Sequence, residues 1–474
     1  MTSRRQILAA LATTTAAAAL PSGAPAAAEP KTKRVIPKRT LGRTGHMVTP
    51  LALGGQAALQ WTPPGTDAPD IIVRAVQLGL NYLDTANVYG PSQMNYGEAL
   101  RRLNLAPGRP DYDAALREKL YIASKTNRRF ARDPSQPAGA TLAIDDLKRS
   151  MTQIFGDGEG AIPDGAYLDA IQIHALGKVE DIDTLYLGMK ERGGKMPEQI
   201  GAFAALLDYR DGTNYTGLNP EHKRWVRHVG VTGHLDSRIL MKMLRLDETH
   251  DLDTLLVALN VGDKLYLPHQ YNVLPLAVAR GMGVIAMKVF ADGAFVGKEA
   301  HWTRGPQEVI TTVGDAAGRL NTHDMVRYTL SLPGVCCAVI GTGHIDRKDP
   351  SKDQIVANLA AAIDTPMTVA EREALEKEAA EKFGATTNYF QEAAVGLQQP
   401  TEVKATKEGG RVTVRWQAGV AGPKPILAYR IQAGGKTVLT IPARVQLTMA
   451  PLTAWLTGEM LPEGPIEVVA SETI

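Results

Sequence analysis

Eight short apolar runs in the middle of the chain alternate with segments whose apolar residues recur at helical spacing. Segments such as DIIVRAVQLG and HDMVRYTLSL separate the runs. Strands that alternate with helices predict βαβ units and a parallel sheet, and eight such units close into a (β/α)8 barrel of class α/β. The predicted strands are LALGG (51–55), LNYLD (80–84), LYIASK (120–125), AIQIH (170–174), HVGVTG (228–233), LLVALN (255–260), GVIAMK (283–288) and CCAVIGT (336–342).

The barrel pattern is longer than a common barrel, which needs ~250 residues. It occupies residues 38–398, so we expect insertions at 127–165, 190–225 and 292–320, which are rich in Gly, Pro or charge. Its last helix is well delimited, because Thr368 and Glu371 form a capping-box pattern and Gly384 suits the C-terminal stop.

After Gln398 the apolar residues alternate with period two, as in RVTVRW. Paired glycines at 409–410 and 434–435 suit tight hairpin turns between such strands. Residues 399–474 are therefore predicted to form a small all-β sandwich, and their pattern is similar to the opening of a fibronectin type III module. Trp416 and Trp455 are expected in its core.

The N-terminus reads as a targeting segment. Arg4 and Arg5, followed by Ile7 and Leu8, resemble the twin-arginine export motif of bacteria, and the small residues near Ala28 suit a signal peptidase. An ordinary secretory signal or an alanine-rich tail is the alternative. We expect a signal peptide at 1–28, a linker at 29–37, the twin-arginine export machinery as a partner, and a periplasmic or secreted bacterial protein.

Composition excludes several classes of function. The formal net charge is +2 over 474 residues, which gives no reason to expect a nucleic-acid partner, since such binding normally leaves a concentrated basic patch. No C-x-x-C occurs and the histidines are scattered, so no metal site is expected. The mature chain has no apolar stretch long enough for a transmembrane segment. Cys336 and Cys337 are adjacent in an apolar run and are predicted to be buried thiols rather than a disulfide.

Four chemically active side chains follow the predicted strands at their C-terminal ends. Asp84 ends the second strand, Lys125 the third and His174 the fourth, while Tyr89 lies in the loop after the second. Since catalytic residues of parallel barrels project from these ends, the four are expected at one mouth. Each has a structural alternative taken alone: a turn for Asp84, a solvated strand end for Lys125 and a core group for His174.

At these residues the chain resembles the aldo-keto reductase superfamily. The resemblance covers residues 38 to 380 and includes LGLNYLDTANVYG, YIASKT, DAIQIHAL, HVGVTGH and GMGVIAMKVF. It implies a barrel enzyme that uses NADP, with NAD as the alternative, to reduce the carbonyl of a small molecule without a Rossmann domain. The resemblance makes Tyr89 the general acid, with Lys125 lowering the phenol pKa, Asp84 holding Lys125, and His174 orienting the carbonyl.

The predicted cofactor site departs from the family's common pattern. Thr232 and Gly233 replace a Ser-Asn pair, Leu256 replaces a glutamine, and Met287 stands where an aromatic residue often stacks on the nicotinamide. The loop after the last strand carries an apparent insertion, whose basic residues are candidates for the 2′-phosphate. The cofactor-binding candidates are Thr232, Asn260, Met287, Lys288, Gly341, Thr342, Gly343, His344, Arg347, Lys348, Lys352 and Asn358.

Two other functions stay open from the sequence. The barrel could bind or sense a cofactor with vestigial catalysis, or the C-terminal module could attach the protein to envelope glycan or a partner. Export adds one expectation: a reductase outside the inner membrane should hold its cofactor tightly, with the inserted loop at 343–353 as a retaining strap. The substrate itself is not indicated by any motif.

Overall fold

The computed structural model describes residues 36–128, 139–156, 160–195, 198–314, 319–460 and 464–474. The predicted signal peptide and most of the linker lie outside the described residues. Residues 37–474 form one compact unit. No helix among the described residues is both long and apolar enough to cross a membrane.

Eight parallel strands close into a barrel in the order β10-β3-β4-β5-β6-β7-β8-β9, which confirms the predicted fold. Every predicted barrel strand is present, with ends that differ by only a few residues. A short antiparallel pair, β1–β2, precedes them. The bounds are β1 (Arg39–Thr40), β2 (Met47–Val48), β3 (Leu51–Gly54), β4 (Tyr82–Asp84), β5 (Tyr121–Thr126), β6 (Leu168–Ile173), β7 (Val226–Gly233), β8 (Thr254–Ala258), β9 (Gly283–Met287) and β10 (Val335–Gly341).

Helices cover the outside of the barrel. Their bounds are α1 (Ala68–Gln77), α2 (Ser92–Arg102), α3 (Ala114–Arg117), α4 (Gly139–Phe155), α5 (Glu180–Leu185), α6 (Ala202–Asp211), α7 (Ser237–Leu246), α8 (His269–Ala279), α9 (Thr322–Leu330), α10 (Gln354–Ala362) and α11 (Val369–Phe383). The capping box of Thr368 and Glu371 is present at the start of α11, and Gly384 caps its end, as predicted.

Two of the three segments predicted to be insertions instead contain helices of the barrel. Segment 127–165 contains α4 and segment 190–225 contains α6, and both helices pack in the barrel's outer layer. Gly, Pro and charge at the ends of these segments concealed the helices, whose inward faces are apolar. The third segment, 292–320, has short 3-10 turns at Ala291–Val296 and Pro306–Glu308 and reaches the mouth of the barrel.

Side chains fill the barrel interior. Tyr82 and Tyr121 stack with ring centroids 5.1 Å apart, and Leu256 and Ile285 pack in the same cluster. Cys336 and Cys337 are free and buried there, as predicted. Burial raises the pKa of both thiols. They are therefore core residues rather than reactive groups.

The C-terminal region forms two three-stranded antiparallel sheets, β11-β12-β15 and β14-β13-β16. Both sheets contribute to one apolar core. Trp416 is in that core, whereas the prediction for Trp455 is wrong, because its ring is 51% exposed beside Arg411. The bounds are β11 (Thr401–Glu408), β12 (Arg411–Gln417), β13 (Ala428–Ala433), β14 (Lys436–Pro442), β15 (Leu452–Thr457) and β16 (Ile466–Ser471).

The β region docks on the barrel through backbone groups. The buried Asn272 of α8 donates to the carbonyl of Ala421 at 3.0 Å and accepts from its amide at 2.8 Å. Arg245 of α7 and Arg280 donate to the carbonyls of Gln446 and Leu447 at 3.1 and 3.0 Å. Because a buried amide that loses such partners costs free energy, these bonds fix one docking geometry.

Residues 384–398, the connecting segment, run between α11 and β11 across the C-terminal end of the barrel. The amide of Leu267 donates to the carbonyl of Glu392, and the amide of Glu392 donates to the carbonyl of Leu235. A buried amide cluster of Asn260, Asn388 and Gln391 fixes the segment from below. The segment is therefore part of the barrel's mouth.

Candidate active site

The ends of three neighbouring strands bring four polar side chains together. Asp84 is the last residue of β4, Lys125 is the second-last residue of β5, and His174 directly follows β6. Tyr89 comes from the loop after β4. These are the residues that the sequence singles out, and their parallel strands place them at one edge of the barrel.

Asp84 and Lys125 form a buried ion pair. Lys125 Nζ donates to Asp84 Oδ1 and, at 2.7 Å, to the carbonyl of Thr85. The two side chains are only 4% and 1% exposed. Burial lowers the pKa of Lys125 and raises the pKa of Asp84, and in each case the partner's charge opposes that shift. Losing one member would leave the other charge buried without its counterion, so the pair is held rigidly.

Tyr89 lies beside this pair and faces His174. Its Oη is 3.5 Å from His174 Nε2, and its ring centroid is 4.9 Å from Lys125 Nζ. Contrary to the sequence-based expectation, the phenol pKa is not lowered overall. Burial raises the pKa of Tyr89, with further increases from Asp84 and Asp292. Asp84 balances the ammonium charge, so the phenol is held protonated, as a proton donor must be.

A cleft at the mouth of the barrel includes Asp84 and Tyr89 in its lining. Leu256 and Met287 give it an apolar floor, and it extends past Gly341 to Asn358. Gly55 in its lining lets two backbone segments approach closely, since a Cβ there would lie 2.6 Å from the carbonyl oxygen of Asp84. An extended cleft with one end at a proton donor fits a dinucleotide whose reactive ring lies beside Tyr89.

One wall of the cleft is a loop, residues 303–314, tied to the opposite wall by Gln354. The Nε2 of Gln354 donates to the carbonyls of Ile310 and Thr312 at 3.0 and 2.8 Å. Its Oε1 accepts from the amides of Gly343 and His344 at 2.7 and 3.1 Å. Gln354 is thus the anchor that ties the cleft-bounding loop 303–314 to Gly343 and His344, the first two residues of the predicted strap 343–353. Nothing in the local sequence distinguishes Gln354 from an ordinary first residue of a helix.

Four of the predicted cofactor residues line the cleft: Met287, Lys288, Gly341 and Asn358. Lys288 is the only Lys or Arg in its described lining, and its ammonium pairs with Asp292 at 2.9 Å and with Gln56 Oε1 at 3.2 Å. A positive φ of 58° at Lys288 turns the chain there into the loop that follows β9.

The other predicted cofactor residues lie outside the lining. Thr232 Oγ1 accepts from the amide of Ala175, and the amide group of Asn260 pairs with Asn388 and the Lys288 carbonyl. Arg347 binds Asp70 of α1 at 2.6 Å on the outer surface. The remaining members contribute backbone, or carry exposed side chains, around the Gln354 anchor; they are Thr342, Gly343, His344, Lys348 and Lys352.

Comparison with known proteins matches the model described as the aldo/keto reductase family to residues 50–349. Three solved structures are similar. A putative aldo-keto reductase from Pseudomonas aeruginosa has 20% identity and a TM-score of 0.42, over 69% of this chain and 94% of that one. The holo form of an aldo-keto reductase from Bacillus halodurans has 20% identity and a TM-score of 0.45, over 73% and 96%.

The third is an aldo/keto reductase from Klebsiella pneumoniae in complex with NADP and acetate. It has 16% identity and a TM-score of 0.43, over 72% of this chain and 95% of that one. At these identities no residue role is transferred from any of the three structures.

Proposed function

The chain belongs to the aldo/keto reductase family, and we propose that it is an NADP-dependent reductase that converts an aldehyde or ketone into an alcohol. The observation that carries the proposal is the placement of Tyr89, 3.5 Å from His174 and beside the Lys125–Asp84 pair, at one end of the cleft. NADP is preferred over NAD on the family membership and on the complex of the Klebsiella pneumoniae relative with NADP.

The residues supply what carbonyl reduction needs besides a hydride. A bound reduced nicotinamide supplies that hydride to the carbonyl carbon and is itself oxidised. Tyr89 Oη gives its proton to the carbonyl oxygen as negative charge develops there, and a proton from solvent restores the phenol. His174 Nε2, close to Tyr89 Oη, is placed to donate to the same oxygen.

Lys125 and Asp84 would act on the donor rather than on the substrate. The ammonium beside the phenol ring stabilises the phenolate that remains after proton transfer, and Asp84 fixes the position of the ammonium. Because the resting phenol has a raised pKa, that stabilisation matters during the transfer itself, when charge forms next to Lys125.

We also propose export by the twin-arginine route to the periplasm or outside the cell, on the strength of Arg4, Arg5 and the small residues near Ala28. That route carries folded proteins, so cofactor could be loaded before transit. The Gln354 anchor supports slow exchange, because the loop that it holds bounds the cleft along its length.

Carbonyl-dependent oxidation of NADPH, compared with NADH, tests the reductase. Tyr89→Phe should lower kcat by ~10²–10⁴ while the Kd for NADPH stays within about twofold. Tyr112→Phe is the matched control, since Tyr112 lies in the loop before α3, away from the mouth. A Tyr89→Phe enzyme with the parent's turnover would refute the assignment. NADPH binding without turnover of any carbonyl compound would favour a cofactor-binding protein instead.

A further inference from the structure

Four rings pack together at the mouth of the barrel, where the catalytic tetrad of Asp84, Tyr89, Lys125 and His174 also lies. Trp302 meets Tyr389 at 5.4 Å and His234 at 5.6 Å between ring centroids, both nearly perpendicular. Phe390 completes the group, at 5.2 Å from Tyr389 and 6.1 Å from Trp302. Aromatic pairs in this geometry stabilise each other, so the indole has a fixed orientation.

Charged residues that line the cleft contact this ring group. Lys288, which lines the cleft, places its Nζ 4.4 Å from the centroid of Trp302. Tyr389 Oη donates to Asp292 at 3.0 Å, and Asp292 is one of the charges that raise the pKa of Tyr89. Lys125 in turn helps to lower the pKa of His234. Both Lys288 and Asp292 line the cleft, so the ring group, whose own residues lie outside the lining, borders the cleft through these contacts.

Trp302 is 45% exposed although three other rings hold it in place. Trp416, a core residue of the β region, is by contrast 1% exposed. Its surroundings are polar: Asp292 pairs with Lys288 and Lys298, and Thr303 donates to Asp292 from the backbone at 3.3 Å. A large exposed ring bordered by buried charges is poorly suited to a purely apolar ligand.

We propose that Trp302 is the platform of a substrate subsite for a keto-pyranose, a sugar ring that carries a ketone, and that stacking there places the ketone at Tyr89. A pyranose has an apolar face of C–H groups that stacks on an indole, and hydroxyls around its edge that bind carboxylates, ammonium groups and imidazoles. The indole of Trp302 would stack on the apolar face of the sugar. The polar groups of Asp292, Lys288 and His234, which border the indole, would bind the hydroxyls. This inference names the substrate class of the reductase and so rests on the proposed function.

Half of the ring group comes from outside the matched family domain. Tyr389 and Phe390 belong to the connecting segment, beyond the matched residues 50–349. Hydrogen bonds between Glu392 and the backbone of Leu235 and Leu267 hold that segment at the mouth. The specificity would therefore depend on the chain's own extension and not on the barrel alone.

Binding and turnover are measured separately, on the full chain. Tryptophan fluorescence, with calorimetry, follows titration with a panel of methyl hexopyranosides, which contain the ring but no carbonyl. Turnover with NADPH is compared between keto-hexopyranosides and propanal, which reaches the tetrad without needing the subsite. The variants are Trp302→Ala, Tyr389→Phe, and Trp455→Ala as the control, since Trp455 is a similarly exposed tryptophan on the β region.

Trp302→Ala should weaken pyranoside binding and raise KM for the keto-sugar by about tenfold or more, with kcat/KM for propanal within about twofold. Tyr389→Phe should have a smaller effect in the same direction, and Trp455→Ala none. Equal losses for propanal and sugar, unchanged sugar binding in Trp302→Ala, or a selective loss for hexanal or benzaldehyde would each overturn the subsite. If no variant or parent reduces any carbonyl while pyranosides still bind at Trp302, the proposed reaction fails and the subsite stands.

Discussion

Gln354 should control how fast cofactor leaves the cleft. Its side chain makes four hydrogen bonds, two donated to the loop carbonyls of Ile310 and Thr312 and two accepted from the amides of Gly343 and His344. A hydrogen bond of this kind contributes ~0.5–1.5 kcal/mol net. The two bonds that cross to the loop therefore oppose its opening by about 1–3 kcal/mol, which corresponds to roughly 5–150-fold in rate.

Two substitutions separate the loop from the anchor. Gln354→Glu keeps the acceptor for Gly343 and His344 but replaces the amide donor with an oxygen that faces the loop carbonyls. Gln354→Ala removes all four bonds. Both should release bound NADPH faster by roughly 5–150-fold, since both lose the two bonds that cross to the loop. Gln270→Ala is the control, because Gln270 is a half-buried glutamine of α8 that does not line the cleft.

The assay is stopped-flow displacement of NADPH fluorescence by excess NADP, with far-UV circular dichroism to confirm folding. A folded Gln354→Ala protein that releases NADPH within twofold of the parent rate would refute the reasoning, because the loop would then not depend on the anchor. Slow release from the parent would also support loading before export, whereas rapid, reversible exchange would remove the physical basis for retention.

Two further predictions concern titratable groups, the Lys125–Asp84 pair and His234. Lys125→Met should abolish most turnover and destabilise the fold by ~3–5 kcal/mol in chemical denaturation, because Asp84 stays buried without its partner. The double variant with Asp84→Asn should recover stability but not activity. Recovered activity in the double variant would argue against the role of the ion pair. His234 has a pKa of about 3, lowered first by burial and then by Lys288, so its imidazole should show no NMR titration between pH 5 and 8. The imidazole takes up its proton near pH 6.5 in the unfolded chain and only near pH 3 in the folded chain, so the free energy of unfolding should fall as the pH drops through that window. The variant His234→Gln should reduce this loss of stability. An identical acid dependence in the variant would contradict the low pKa.

The barrel and its four catalytic candidates could be predicted because both follow short-range rules. Apolar runs of strand length and helical periodicity fix the order of elements, and in a parallel barrel the C-terminal strand ends meet whatever the loops do. Asp84, Lys125 and His174 therefore meet without any knowledge of packing. The capping box at Thr368 could be predicted for the same reason, since its two partners are three residues apart.

The cofactor contacts could not be predicted in the same way, because they depend on pairs far apart in the chain. Arg347 resembles a phosphate ligand as long as Asp70, 277 residues away, is ignored. Asn260 resembles a cofactor ligand as long as its pairing with Asn388, which is distant in sequence, is ignored. The role of Gln354 is missed for the converse reason. It depends on the loop carbonyls of Ile310 and Thr312, which are distant in sequence, and nothing in the residues next to Gln354 indicates it.

The connecting segment links the two parts of the molecule to one site. At one end α11 packs on the barrel, and at the other the β region is fixed to α7 and α8 through Asn272, Arg245 and Arg280. Between these anchors the path of residues 384–398 is restricted, and hydrogen bonds of Glu392 draw it onto the loops after β7 and β8. Loss of the docking bonds would free one end of the segment and increase the conformational entropy available to Tyr389 and Phe390. The β region therefore contributes to the mouth through the chain that it restrains, even though its own strands lie outside the cleft.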